Sequence, residues 1–255
     1  MTAPATTATT RATQWQPAEG LLPRGTLVLL PGRGEHPGVY ERFGRRLAAD
    51  AYVVHVLDTD PDQPLADAVA EVARLAGDAA VPLVLAGSDT GALRALAVAA
   101  DPSLRIDAVL LAGTPVEVDA ASEVDAASIT DWERELTART ACPTHRGRLD
   151  ADPGFGRGSL AAPVPAGLAE AADRAVRQLG ELPVLLVHGA ADAVSPLAGA
   201  RRLASELPQA VLATVTDGRH DAFNDISHRS VAATVVQWLE RLRGGPGLPV
   251  VVTLG

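Results

Sequence analysis

Three polar residues stand where chemistry can be done, each placed just after an apolar run. Asp89 sits in Gly87-Ser88-Asp89-Thr90-Gly91, Asp192 in His188-Gly189-Ala190-Ala191-Asp192, and His220 in Asp217-Gly218-Arg219-His220-Asp221. Glycines two residues to either side of one central residue, between a strand and a helix, have the spacing of a nucleophile elbow. The central residue takes a strained backbone conformation there, so its neighbours must be tiny, and its side chain projects above the sheet. The residue so placed is Asp89 and not Ser88, whose corresponding neighbours are Ala86 and Thr90. An ordinary glycine-containing turn with Asp89 as a helix N-cap would leave the same local pattern. The two later residues favour the catalytic reading. A histidine can deprotonate water or a nucleophile, and a carboxylate beside it orients the ring and stabilises its charged form.

Such residues need a scaffold that brings three distant loops together, and the sequence alternates in the way that supplies one. Short apolar runs at Thr26–Leu30, Tyr52–Leu57, Pro82–Ala86, Ile106–Ala112, Pro183–Val187 and Ala210–Val215 read as strands. Helical spacing appears over Gly38–Ala49, Leu65–Leu75, Ala92–Ala100 and Leu168–Leu179. A last helix is striped by Val231, Val235, Leu239 and Leu242 and stopped by Gly244-Gly245. Continuous apolar strands separated by helices predict an α/β fold, a mostly parallel sheet covered on both faces. In open sheets of this kind sites form at the C-terminal ends of strands, where all three residues fall.

One crossover is too long. Residues 116–164 read as an insertion, expected to be a short helical lid, with a Thr130–Glu133 capping box and a Gly/Pro-rich stretch from Cys142 to Pro165. Residues 1–14 are expected to be a flexible tail ahead of a single domain over 15–255. Residues 244–255 suit an edge strand, a contact with a second subunit in a homo-oligomer, or a tail.

With these motifs in order, the chain resembles the α/β-hydrolase superfamily over nearly its whole length. The order elbow residue, acid, histidine is that superfamily's order. Leu30-Pro31-Gly32-Arg33-Gly34-Glu35-His36-Pro37-Gly38 is similar to the oxyanion loop of its lysophospholipase and monoacylglycerol-lipase branch, with Pro31 where a histidine is usual. The resemblance implies a catalytic triad of Asp89, His220 and Asp192, with the backbone N–H groups of Arg33 and Thr90 as the oxyanion hole. That branch carries serine at the elbow. An aspartate there resembles dehalogenases and epoxide hydrolases, and implies attack on an sp³ carbon to give an aspartyl ester that His220 then helps water to hydrolyse. The substrate is expected to be a small, largely apolar molecule with a halide, epoxide or ester leaving group. Neither aspartate subgroup is matched fully: both tyrosines, Tyr40 and Tyr52, lie outside the lid, and Thr90 follows Asp89 where a halide-binding tryptophan is usual. Trp132, His145 and Arg146 of the lid are the candidate pocket residues. The alternatives are a lyase, cyclase or isomerase using Asp89 as general acid/base, and a non-catalytic binding protein.

Composition narrows the field. The net charge is −9 over 255 residues, which argues against nucleic acid as a partner. All 22 basic residues are arginine, which excludes Schiff-base chemistry and a P-loop lysine. A third glycine of a dinucleotide-binding loop would fall on Pro37. The single cysteine, Cys142, allows no internal disulfide and no cysteine zinc site, and a cytoplasmic setting is expected. Asp58, Asp60 and Asp62 imitate a calcium loop that lacks its glycine and its final glutamate. No metal and no cofactor is expected. No apolar run reaches the ~18 residues of a membrane span. Glu117 and Asp119 are the fallback for the triad acid.

Overall fold

The computed structural model describes residues 11–59, 63–116, 129, 131–245 and 247–253. The chain begins with β1 (Arg11–Trp15), β2 (Gly25–Leu30), α1 (Glu41–Ala49), β3 (Tyr52–Asp58), α2 (Leu65–Ala76), β4 (Leu83–Ser88), α3 (Thr90–Ala99) and β5 (Ala108–Ala112). It continues through α4 (Trp132–Arg139), α5 (Pro143–Ala151), α6 (Ala166–Gln178), β6 (Val184–Gly189), α7 (Leu197–Glu206), β7 (Ala210–Val215) and α8 (His228–Arg243). The seven strands form one sheet in the order β1-β3-β2-β4-β5-β6-β7. Every pairing is parallel except that of β1 with β3.

The two-residue period of a strand divides the core into two layers. Leu27, Leu29, Val84, Ala86, Leu110, Leu185 and Val187 face one side, against Phe43 and Leu47 of α1 and Val231, Val235 and Leu239 of α8. The intervening residues Val28, Leu30, Leu85, Val109, Leu111 and Leu186 face the other, against α2, α3, α6 and α7. With both sides covered, the strands have no polar face to spare. They therefore read as unbroken apolar runs in the sequence.

Several expectations change. Residues 11–14 are not tail but most of β1. Thr13 pairs with Val56, and the Trp15 ring lies on Gly44 of α1, where a Cβ would strike it. An edge strand with one solvated face carries polar residues, so its composition looks like a tail. The Cys142–Pro165 stretch begins with a regular helix, α5. Pro143 stands in its first turn, where a missing N–H costs nothing. At α4 the N-cap is Asp131, whose carboxylate accepts from Arg134 N at 2.9 Å; Thr130 lies outside the described residues. Residues 247–253 add no strand to the sheet, and Arg241 binds the Leu248 carbonyl there at 2.8 Å. α7 is an element the sequence reading lacked.

Candidate active site

β4 runs into α3 through Asp89, whose backbone sits at φ 50° and ψ −127°. A side chain at Gly87 would collide with the backbone of Gly91. One at Gly91 would collide with the carbonyls of Leu30 and Pro31. A Cβ on Gly32 would stand 2.7 Å from the Asp89 Cβ. The glycines therefore let three backbone segments close around one carboxylate. The Asp89 N–H donates to Ala112 O at the end of β5 (2.9 Å), which fixes the turn to the sheet.

The loops after β6 and β7 bring the other two residues to it. His220 Nδ1 lies 2.9 Å from Asp192 Oδ2. Asp192 Oδ1 accepts from the backbone N–H groups of Val194 (2.8 Å) and Ser195 (2.9 Å), so its carboxylate is held before it meets the ring. His220 Nε2 faces Asp89 Oδ1 at 3.4 Å, a contact of opposite charges without hydrogen-bond alignment. All three side chains are buried. His188 is packed beneath them and binds Ser195 O at 2.7 Å.

The oxyanion loop contributes a backbone N–H as expected, and a side chain that was not expected. Arg33 N donates to Asp89 Oδ2 at 2.9 Å. The Arg33 guanidinium also grips the same carboxylate, Nε to Oδ2 and Nη2 to Oδ1, both at 2.8 Å. Its Nη1 donates to the carbonyls of Leu160 (3.1 Å) and Ala162. The Thr90 N–H, the other expected donor, makes no bond to the carboxylate.

These contacts fix the charge states. Burial alone would raise the Asp89 carboxyl, but its hydrogen bonds from Arg33, with His220 nearby, hold it well below the usual carboxylate range. Burial would likewise lower the His220 imidazolium, yet Asp192 and then Asp89 override it and hold the ring at about 10. At neutral pH the site holds two carboxylates, one imidazolium and one guanidinium, and their charges cancel.

A second polar cluster joins the lid to this loop. Arg139 of α4 is fully buried and pairs with Glu135 (3.0 Å), Asp221 (3.4 Å) and Glu35 (3.9 Å), and donates to the Arg33 carbonyl (2.7 Å). Glu35 also accepts from Tyr40 and from Gly32 N (2.8 Å). Burial, reinforced by Asp221, pushes the Glu35 carboxyl up to about 7 against the pull of Arg139. His145 belongs to this cluster, 3.2 Å from Asp221 Oδ2. His36 of the same loop is fixed to Asp152 at 2.7 Å.

Trp132 and Arg146 do not point to the triad. Trp132 Nε1 donates to Asp150 (2.8 Å) and its ring lies against Phe155 and Arg157; Arg146 binds Glu133 and Thr137 on the lid surface. An arginine and a tryptophan on a short lid have nearby acids and rings to satisfy them, and here those take precedence over the site. Glu117 and Asp119 lie outside the described residues. The sequence reading missed Glu35, Arg139 and Asp221. The one signal available was the position of Asp221 directly after His220. Among the described residues no group of three or more histidine, cysteine or acidic side chains is arranged to hold a metal. No helix among them is long and apolar enough to cross a membrane.

A strained elbow, an acid after β6 and a histidine after β7 on a parallel sheet define the α/β-hydrolase class. The chain belongs to the α/β-hydrolase family described as serine aminopeptidase, S33, whose profile matches residues 61–227. It is 30% identical to a pimeloyl-[acyl-carrier protein] methyl ester esterase of Chromobacterium violaceum over 228 residues, covering 79% of this chain and 89% of the relative. It is 28% identical to a monoacylglycerol lipase of Mycolicibacterium smegmatis over 255 residues, covering 85% of this chain and 88% of that protein. Among solved structures, the monoacylglycerol lipase of Paleococcus ferrophilus superposes with a TM-score of 0.70 at 19% identity, covering 91% of this chain and 99% of that one. At that identity the likeness concerns the fold.

Proposed function

We propose that this α/β-hydrolase cleaves its substrate through an aspartyl ester on Asp89. The observation that carries the reading is the division of labour between the two carboxylate oxygens. Oδ2 is held by the Arg33 backbone N–H, and Oδ1 faces His220, whose other nitrogen is on Asp192. In the first step Oδ1 forms a bond to an sp³ carbon, and the bond from that carbon to a halide or oxygen leaving group breaks with its electron pair. Attack on an acyl carbon, natural for a serine, would here give an anhydride and is disfavoured.

The charge states give the second step its timing. His220 is held as imidazolium partly by the charge on Asp89. Esterification removes that charge, so the ring becomes more acidic and passes its Nε2 proton to the departing oxygen, or to solvent where the leaving group is a halide. Neutral Nε2 then takes a proton from water as the water oxygen adds to Cγ. The Arg33 N–H faces the negative oxygen that forms at Oδ2. Collapse breaks the Cγ–Oδ1 bond, the alcohol leaves with Oδ1 and the proton from His220, and water oxygen remains on Asp89.

The same observations weigh against Asp89 as a general acid/base. A carboxylate held far below its ordinary pKa has no proton to give at neutral pH and little basicity with which to take one. The test is a single turnover in ¹⁸O-water, preceded by a screen of haloalkanes, haloacids, epoxides and esters. Label is expected in the Asp89 peptide, and His220→Gln is expected to accumulate a covalent adduct there, read by mass spectrometry. Turnover with neither label nor adduct moves the assignment to direct attack by water and to the lyase or cyclase alternative.

A further inference from the structure

The triad is complete, yet its nucleophile is already engaged. Both Asp89 oxygens are taken by the planar fork of Arg33, while the far edge of that guanidinium is held by the Leu160 and Ala162 carbonyls of the lid. A carboxylate in a bidentate ion pair cannot attack a carbon through Oδ1 until the pair opens. Resting on the assignment of Asp89 as nucleophile, we propose that Arg33 is the anion-binding residue of the substrate site. Asp89 occupies it when no ligand is present, and the true substrate carries a carboxylate beside its electrophilic carbon.

Three features support this. First, the Arg33 fork fits a carboxylate on the edge that faces the nucleophile, and that edge is matched to both oxygens at 2.8 Å. A carboxylate next to the reacting carbon is the ligand group that can replace Asp89 there in kind. Second, Arg33 is nearly buried, with 10% of its side chain exposed. A neutral substrate that drew Asp89 away would leave a buried cation unpaired, whereas an anionic one would not. This difference favours the carboxylate on the order of 10²-fold or more. The neighbouring cation cannot serve, because Arg139 is already paired with Glu35, Glu135 and Asp221. Third, the charges balance in the right order. Asp89, Asp192, His220 and Arg33 cancel, so a carboxylate substrate adds one negative charge to a buried site. Alkylation of Asp89 with departure of an anionic leaving group removes that charge. Until His220 gives up its proton, the aspartyl-ester site is neutral, with Arg33 paired to substrate and His220 to Asp192. The reading replaces the largely apolar substrate expected from sequence with an apolar chain ending in an anion.

Binding and chemistry are tested separately. Isothermal titration of the intact protein with butyrate and with butyramide compares an anion and a neutral amide of the same size. Butyrate is expected to bind at least about 30-fold more tightly. Asp89→Asn removes the internal competitor and is expected to bind butyrate at least tenfold more tightly than the parent; Arg33→Gln is expected to lose the preference for the anion. Equal binding of acid and amide by the parent overturns the proposal without recourse to any variant, as does Asp89→Asn binding butyrate no better. The second arm treats His220→Gln with 2-chlorobutyrate and 2-chlorobutyramide. An adduct on Asp89 from the acid alone supports both readings. Equal adduct from the amide overturns the anion site and leaves the aspartyl ester standing. No adduct alongside preserved butyrate selectivity supports the anion site and removes the nucleophile.

Discussion

At the scale of single residues, the site is governed by charges that are buried before any substrate arrives. Two of them give a stability profile whose sign is set by the direction of their shifts. Glu35 has its carboxyl raised from 4.5 to about 7, so the native state holds a proton there that the unfolded chain has lost; stability from this group falls as pH rises from about 4.5 to 7 and is level above that. His220 is raised from 6.5 to about 10, so its contribution is complete below 6.5 and is lost as pH rises through 10. Asp89, shifted downward, contributes above its ordinary value and loses that contribution as pH falls below it. Together these groups place maximal stability on the mildly acidic side. Urea midpoints measured from pH 5.5 to 10 should decline with pH; Glu35→Gln should flatten the lower half of the decline and His220→Gln the upper half. A midpoint that rises between pH 5.5 and 7 in the parent would contradict the buried, protonated Glu35. The backbone N–H of Arg33 was legible only through the resemblance of Leu30–Gly38 to the oxyanion loop of the lysophospholipase and monoacylglycerol-lipase branch. Its guanidinium was not. A long flexible side chain goes where its partners are, and these lie 56, 127 and 129 residues away.

At the scale of elements, the elbow and the lid differ in what they tolerate. Gly91→Ala would drive a methyl group into the Leu30 and Pro31 carbonyls, and a cost above about 4 kcal/mol is expected, seen as loss of soluble, cooperatively melting protein. Gly147→Ala, within α5 and with nothing near its added carbon, should instead stabilise by about 0.5–1 kcal/mol. Similar melting temperatures for the two variants would mean that the backbone segments at the elbow can move apart. In the lid, Arg139→Met would leave Glu35, Glu135 and Asp221 buried without their cation, at about 3–5 kcal/mol in urea unfolding. A loss below about 1 kcal/mol would show that those carboxylates take up protons instead. The strands, the elbow and the order of its partners were readable because each depends on local period and glycine spacing. α7 was not read because Leu197, Ala200, Leu203 and Ala204 make a faint stripe. β1 was not read because half its residues face solvent.

At the scale of the whole molecule, the sheet separates two apolar layers and gathers Asp89, Asp192 and His220 at one end of its strands. The segment from α4 to Phe155 packs on the α1 and α8 side, where Leu136, Leu149 and Phe155 join the apolar layer. Most of this architecture follows from runs of Val, Leu and Ala long enough to be buried on both faces. How the lid meets the oxyanion loop does not follow, because the meeting depends on glycines brought together by folding. A Cβ on Gly156 would stand 2.9 Å from the Gly34 Cα, and Gly156 N donates to Gly34 O at 2.8 Å.

That single hydrogen bond from the Gly156 N–H to the Gly34 carbonyl has a consequence for how opening can be watched. It lies one residue from Arg33, and the Leu160 and Ala162 carbonyls that brace Arg33 belong to the same lid segment as Gly156. Exposure of the Gly156 amide to solvent and release of the Asp89 carboxylate from Arg33 are therefore expected to occur together. On that expectation, native-state deuterium uptake at Gly156 follows the fraction of molecules in which Asp89 is free of Arg33. If that fraction is about 1%, ligand affinity is weakened about 100-fold relative to an open form, and a ligand that holds the open form should speed the uptake correspondingly. Uptake at Ala86 and Leu110, deep in the sheet, should not change. A carboxylate ligand that binds while Gly156 stays as protected as before would uncouple the lid from the nucleophile.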